Sequence, residues 1–194
     1  PEAVALNEET ATTQHVYGLD NPETAEFGTR CLLARRLIER GVRFVQLYSG
    51  DTNGWDAHND VLKNHTQMCR RTDQPIAALL RDLKQRGLWD DVLVVFCTEF
   101  GRTPGLEQRG GGRDGRDHHP HGFSVFLAGA GIRGGMVHGA TDELGFHALE
   151  PGHYVTDLHA TVLHLLGLDA RRLEIPGRRR LNIDFGEPIR EIMA

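Results

Sequence analysis

Asp91-Val92-Leu93-Val94-Val95-Phe96-Cys97 decides the fold class. After Asp91 the run is continuously apolar and β-rich, and it empties into a polar loop. That pattern marks a central strand covered on both faces, as in a parallel sheet. On its N-terminal side lies a long amphipathic segment from about Asp60 to Arg86, offering Leu62, Ile76, Leu79, Leu80 and Leu83 to a core and ended by Gly87. Pro75 inside it predicts a kink or a break into two helices. Earlier still, Arg43-Phe44-Val45-Gln46-Leu47-Tyr48 reads as a second buried strand, preceded by a helix from Thr24 to Arg40 that Gly41 closes as a left-handed cap. Beyond the central run come a third strand over Phe123 to Ala128, glycine-rich turns, a hairpin around Gly139 to Gly145, and a helix from Val155 to Leu166. Helix and strand in alternation predict an α/β fold with a largely parallel sheet, built as a single domain over residues 1–194. The polar stretch 1–23, with its Gly18-Leu19-Asp20-Asn21-Pro22 turn signals, is expected to form a surface arm.

The bulk composition narrows the function. A net charge of -5 disfavours nucleic acid as a partner, and the short Arg178-Arg179-Arg180 cluster does not outweigh it. No apolar run reaches the roughly 20 residues of a membrane span. The chain opens on Pro1 rather than Met, from which an upstream portion is expected. Cys31, Cys69 and Cys97 lie far apart, so they read as isolated buried thiols rather than a zinc ribbon or a disulfide framework, and the redox compartment stays open. Histidine is abundant, with 11 residues, and many stand beside Asp, Gly or Pro, which points to metal or phosphate chemistry.

Sites in open α/β sheets form beyond the carboxyl ends of the strands, so the two polar loops should converge. The first carries Trp55-Asp56-Ala57-His58; the second carries Thr98-Glu99-Phe100-Gly101-Arg102 and, further on, Gly115-Arg116-Asp117-His118-His119-Pro120-His121. Carboxylates and imidazoles together suit a divalent metal, zinc, manganese or iron. Arg102 and Arg116 could clamp an oxyanion such as phosphate or sulfate. Each residue also has a plainer reading. Asp56 could cap the following helix, Glu99 could be a surface carboxylate, and the 118–121 histidines could belong to a solvated loop. His65, His138, His147, His153, His159 and His164 read as core or boundary histidines.

At these loops the sequence resembles the C-terminal part of a sulfatase-like bacterial family of unknown function in the alkaline phosphatase and sulfatase superfamily. The strings that carry the likeness are GVRFVQLYSG with WDAH, DVLVVFCTEFGRTP, GRDHHPHGFSVFLAGAGIRGG and DLHATVLHLLGLD, across roughly residues 24–170. The resemblance implies a partial three-layer alkaline phosphatase-like fold, its sheet flanked by helices. It implies metal ligands at Asp56, His58, Glu99 and His118, with Asp117, His119 and His121 as further candidates and Arg102 and Arg116 on the substrate anion. Zinc or manganese is the implied metal, with iron or calcium as other occupants.

Two features depart from the superfamily pattern. Phe100 stands where a second-metal histidine is usual, and the nucleophile and its metal-binding Asp are expected in an N-terminal half outside this chain. Ser49, Thr52 and Thr98 lie near the expected site without a nucleophile context. The function implied is metal-dependent hydrolysis of phosphate or sulfate esters, on a small or polymeric anionic substrate. The alternative is a non-catalytic sulfatase-like module that binds an anionic glycan or a protein. Relatives of this kind carry export signals, so an extracytoplasmic or periplasmic location is expected for the parent protein.

Overall fold

A computed structural model describes residues 2–49, 54–107, 114–172, 174, 176–177 and 185–194. Thr52 and the Arg178-Arg179-Arg180 cluster lie outside the described residues. The chain forms two compact units, Pro1–Leu88 with Gly105–Asp117, and Trp89–Pro104 with His118–Ala194. The peptide-bonded neighbours Asp117 and His118 thus belong to different units.

The first unit is helical. Two short 3-10 turns (Glu2–Val4 and Leu6–Glu8) and α1 (Ala11–Val16) lead into α2 (Ala25–Glu39) and α3 (Val61–Gln85), which pack on one another. α2 buries Gly28, Cys31, Leu32 and Arg35, one stripe at helical spacing, and α3 buries Met68, Thr72, Pro75 and Ala78 in the same way. Gly28 is required where it sits, because a Cβ there would stand 2.1 Å from the Tyr17 carbonyl oxygen. The 1–23 stretch is mostly exposed, yet Tyr17, 1% exposed, enters the core with Cys31, Leu32 and Ala78. α3 runs without a break through Pro75, whose ring lies fully buried on the stripe that faces the core. The C-terminal ends of both helices fall where expected, with Gly41 at φ 84° after α2 and Gly87 at φ 70° after α3.

Buried charge ties this unit together. The Arg35 guanidinium, 3% exposed, pairs with Glu9, Glu39 and Asp82, and Asp82 also accepts a 2.9 Å hydrogen bond from the Tyr17 hydroxyl. Arg36 donates to the Ala3 carbonyl at 2.9 Å and pairs with Glu9. Burial alone would raise the Glu9 carboxyl, but hydrogen bonds from Arg36 and Arg35 outweigh it and hold it below the ordinary value. Cys31 has no such partner, and burial pushes its thiol up to about 12, which leaves it inert.

The second unit carries the strands. β1 (Leu93–Phe96) pairs antiparallel with β4 (Phe126–Gly129), and β2 (Gly101–Arg102) pairs antiparallel with β3 (His118–His119). A hairpin follows, with Thr141 bridged to Ala148 and the Leu149 amide donating to the Ala140 carbonyl at 2.9 Å. α4 (Val155–Leu165) starts where the Asp157 carboxylate accepts from the Tyr154 amide at 2.9 Å, and it buries Leu158, Ala160 and Thr161. No helix is long and apolar enough to cross a membrane among the described residues.

This architecture corrects the expected fold class. The described residues contain two small antiparallel two-stranded sheets and no large parallel sheet, so the fold is not the three-layer alkaline phosphatase-like α/β arrangement. The β-rich runs are apolar, but a run of apolar residues does not specify its partner. β1 covers only Leu93–Phe96 and leaves Phe96 47% exposed, so it is not a central strand buried on both faces. Residues 43–48 form no strand. They keep a strand-like alternation, with Val45 and Leu47 half-buried and Phe44, Gln46 and Tyr48 exposed, yet no backbone hydrogen bond reaches Phe44–Leu47 among the described residues.

Candidate metal centre

In the first unit residues 105–107 and 114–117 close back over residues 54–60. The Arg116 amide donates to the Ala57 carbonyl at 3.1 Å, the Glu107 amide to the Gly115 carbonyl at 2.9 Å, and the Asp60 amide to Asp114 at 2.6 Å. Gly115 permits this closure, because a Cβ there would lie 1.7 Å from the His58 carbonyl oxygen. From below, the Trp55 indole donates to the Ser49 carbonyl at 2.9 Å and His65 donates to the Trp55 carbonyl at 3.1 Å. Gly54 sits against Met68 of α3, where a Cβ would meet the sulfur at 2.4 Å. Asp56, Ala57 and His58 are therefore held on both sides. Asp56 does not cap a helix; Asp60, in the left-handed conformation at φ 49°, precedes α3.

His58 is the hub of this closure. Its Nδ1 lies 2.7 Å from Glu107 Oε2 and its Nε2 lies 3.1 Å from Asp56 Oδ1. His58, Glu107 and Asp117 each offer one ligand atom, all within 4.8 Å of one another. The Glu107 carboxylate is the more buried partner, 9% exposed against 35% for Asp56. Its hydrogen bond, helped by the Asp56 charge and opposed by desolvation, raises the imidazole pKa above the ordinary value. Without a metal the imidazole stands between two carboxylates. With a metal, one ring nitrogen and carboxylate oxygens form a donor set that suits zinc, manganese or iron(II). The arrangement allows one carboxylate to ligate while the other orients the ring from its far nitrogen.

The remaining expected site residues lie in the second unit. Glu99 and Arg102 pair with each other at 2.9 Å, and the Arg102 guanidinium stands 5.1 Å from the Phe100 ring centroid. His118 faces Arg102 across the β2–β3 pair, and its ring packs on Phe100 at 4.7 Å between centroids. His119 is buried, and its Nε2 donates to the Phe146 carbonyl. The His121 ring, on an exposed residue, lies 5.5 Å from that of His147, which Asp142 holds at 3.3 Å. Of the two hydroxyls that fall on described residues, Ser49 accepts from the Trp55 indole at 3.2 Å, and Thr98 donates to the Phe100 carbonyl at 2.8 Å. The structure joins Asp56, His58 and Asp117 within the first unit, and Glu99, Arg102 and His118 within the second. Glu107 was missed by sequence reasoning. It stands in no ligand-like string, and its only sequence signal is membership of the Gly-, Arg- and His-rich loop between Thr98 and Gly122.

The chain matches, over residues 1–193, the family described as a protein of unknown function (DUF1501). No curated protein and no solved structure matches it. The chain belongs to that family.

Proposed function

We propose that this DUF1501 chain holds a divalent metal in its first unit and serves the hydrolysis of phosphate or sulfate esters. The observation that carries the reading is His58 set between Glu107 and Asp56, with Asp117 joining His58 and Glu107 in a group of donors within 4.8 Å of one another. The WDAH and GRDHHP strings support it, through their resemblance to the alkaline phosphatase and sulfatase superfamily. The support lies in the donor set and not in the sheet. Asp117, His58 and Glu107 would hold the metal, and Asp56 would fix the ring tautomer through Nε2. The bound metal would supply Lewis-acid polarisation of the ester oxygen. Arg116, joined to Ala57 through its backbone, is the cation of the same unit nearest in sequence to these donors, and it would receive the anionic ester.

Elemental analysis of protein purified without chelator tests this reading. Near-stoichiometric zinc, manganese or iron is expected in the wild type, and it should be absent from His58→Ala and strongly reduced in Glu107→Gln. Metal retained in both variants would rule out the site. His118→Ala sharpens the ligand set. Unchanged content keeps the donors within the first unit, whereas loss favours the set implied by the superfamily resemblance, which includes His118. Hydrolysis of aryl phosphate or aryl sulfate by the metal-loaded protein, lost with the metal in His58→Ala, is the functional arm of the same experiment.

A further inference from the structure

α3 reaches the loop of Asp56 and His58 through two residues about one turn apart, His65 and Met68. The half-buried His65 ring donates from Nε2 to the Trp55 carbonyl at 3.1 Å. A carbonyl only accepts, so the proton of the neutral ring sits on Nε2. The same oxygen accepts the Ala57 amide at 3.0 Å, which closes a tight turn centred on Asp56. Both lone pairs of the carbonyl are then in use, one toward the helix and one within the turn. The oxygen belongs to the peptide that joins Trp55 to Asp56, so holding it fixes the plane from which Asp56 departs. The His65 ring is itself confined, tilted 53° to the Trp55 ring with centroids 5.6 Å apart, while the indole donates to the Ser49 carbonyl. Met68, 2% exposed, fills the space beside Gly54.

We infer that His65 is a positioning residue for the metal centre, acting through the Trp55 carbonyl on Asp56 and from there on His58. The inference rests on the proposed function, since it needs a metal at His58. Residues 54–60 form neither helix nor strand, and a loop holds a ligand loosely unless a rigid element anchors it. α3 is that element: it runs unbroken from Val61 to Gln85 and buries Met68, Thr72 and Pro75. His65 passes its rigidity to the loop at a single oxygen atom. With that carbonyl held, Asp56 Oδ1 stays 3.1 Å from His58 Nε2 and orients the ring whose Nδ1 faces Glu107. With the carbonyl released, the Trp55–Asp56 peptide can turn, the Asp56 carboxylate drifts from the ring, and the ring loses its fixed tautomer. The far side of the turn stays pinned, because the Ala57 carbonyl still accepts from the Arg116 amide. Loss of His65 therefore loosens the geometry of the donors without removing any of them.

Titration of the chelator-treated full chain with Co2+ tests the inference, read by the visible absorption of the bound ion. His65→Phe keeps a ring against Trp55 and lacks the donor. It should weaken Co2+ binding by roughly tenfold or more and alter the absorption bands. His65→Leu, which asks less space of the loop, should show the same loss and covers the case in which the larger ring does not fit. His65→Gln can donate from its side-chain amide to the same carbonyl, and it should recover most of the affinity and the wild-type bands. A control lies in the second unit: His138→Gln, which breaks the 2.8 Å hydrogen bond between the Nε2 atoms of His138 and His153, should leave both readouts unchanged. Wild-type affinity and bands in His65→Phe and His65→Leu would overturn the inference and leave the metal site standing. A loss that His65→Gln does not restore would overturn it as well, because the hydrogen bond would not be the cause. No Co2+ binding by the wild type would instead remove the proposed function, and the inference with it.

Discussion

The two units solve the problem of holding polar groups in place by different means. In the first, long helices supply the frame, and arginines enter the interior with carboxylates from separate segments around them. In the second, short antiparallel pairs and a hairpin supply the frame, and histidines are brought together by turns. The difference teaches where each unit is vulnerable. A helix pair distributes its stability over many buried contacts, so its weak points are the few charges that cannot be left unpaired. A unit of short strands has less core to lose, so its weak points are the caps and turns that set the register.

The comparison breaks most visibly at Arg35. Arg35→Ala should cost about 3 kcal/mol, because Glu9 and Asp82 keep Arg36 and Arg86 but lose the buried cation that they share. Arg133→Ala in the second unit, where among the described residues the guanidinium reaches only the Met193 carbonyl at the surface, should stay within about 0.5 kcal/mol. Urea unfolding of the two variants measures both, and equal losses would remove the distinction. Next in size is Asp157→Ala, which removes the acceptor for two backbone amides at the start of α4 and should cost about 1–2 kcal/mol. Thr10→Ala, which removes the cap of α1 that accepts from the Thr13 amide, should cost about 1 kcal/mol and no more. If Thr10→Ala proved the more damaging, caps would matter more in the helical unit than in the stranded one.

The smallest effect lies in the pH response of His58. Its pKa is raised in the folded chain, so its contribution in the metal-free protein is complete below the ordinary histidine value of about 6.5 and is lost as pH rises through the raised value. Metal uptake runs the opposite way, since the ligand must be the neutral ring, and it should weaken as pH falls. Urea midpoints of the metal-free wild type between about pH 5.5 and about pH 8.5, set against His58→Gln, isolate this slope. An identical pH dependence in both proteins would show that the carboxylates around His58 do not stabilise its charge.

The sequence was legible where the determinants are local. α2 and α3 follow from apolar spacing and from the glycines that end them, and α4 was placed within one residue of its observed end. Asp56 and His58 of WDAH were legible as neighbours because residues adjacent in sequence stayed adjacent in space. The sheet was not, because pairing is a choice between distant segments. The same apolar run serves a central parallel strand or, as here for Leu93–Phe96, one half of a two-stranded antiparallel pair. Glu107 was illegible for a related reason. It reaches His58 from 49 residues away through a loop closure that depends on Gly115, and neither residue signals the other. The His138–His153 pair escaped notice because each histidine alone looked like a boundary residue, and only the hairpin between them makes them neighbours.

The stretch Phe44–Leu47, which no backbone hydrogen bond reaches among the described residues, leaves a mark in time as well as in space. Its amide hydrogens should exchange with deuterium at close to the intrinsic rate, while those of α2, which buries Cys31 and Leu32 completely, wait for a far rarer opening. The same few residues therefore act as a clock within the folded chain. Any event that gives them a pairing strand would stop the exchange there first and leave the helices unchanged.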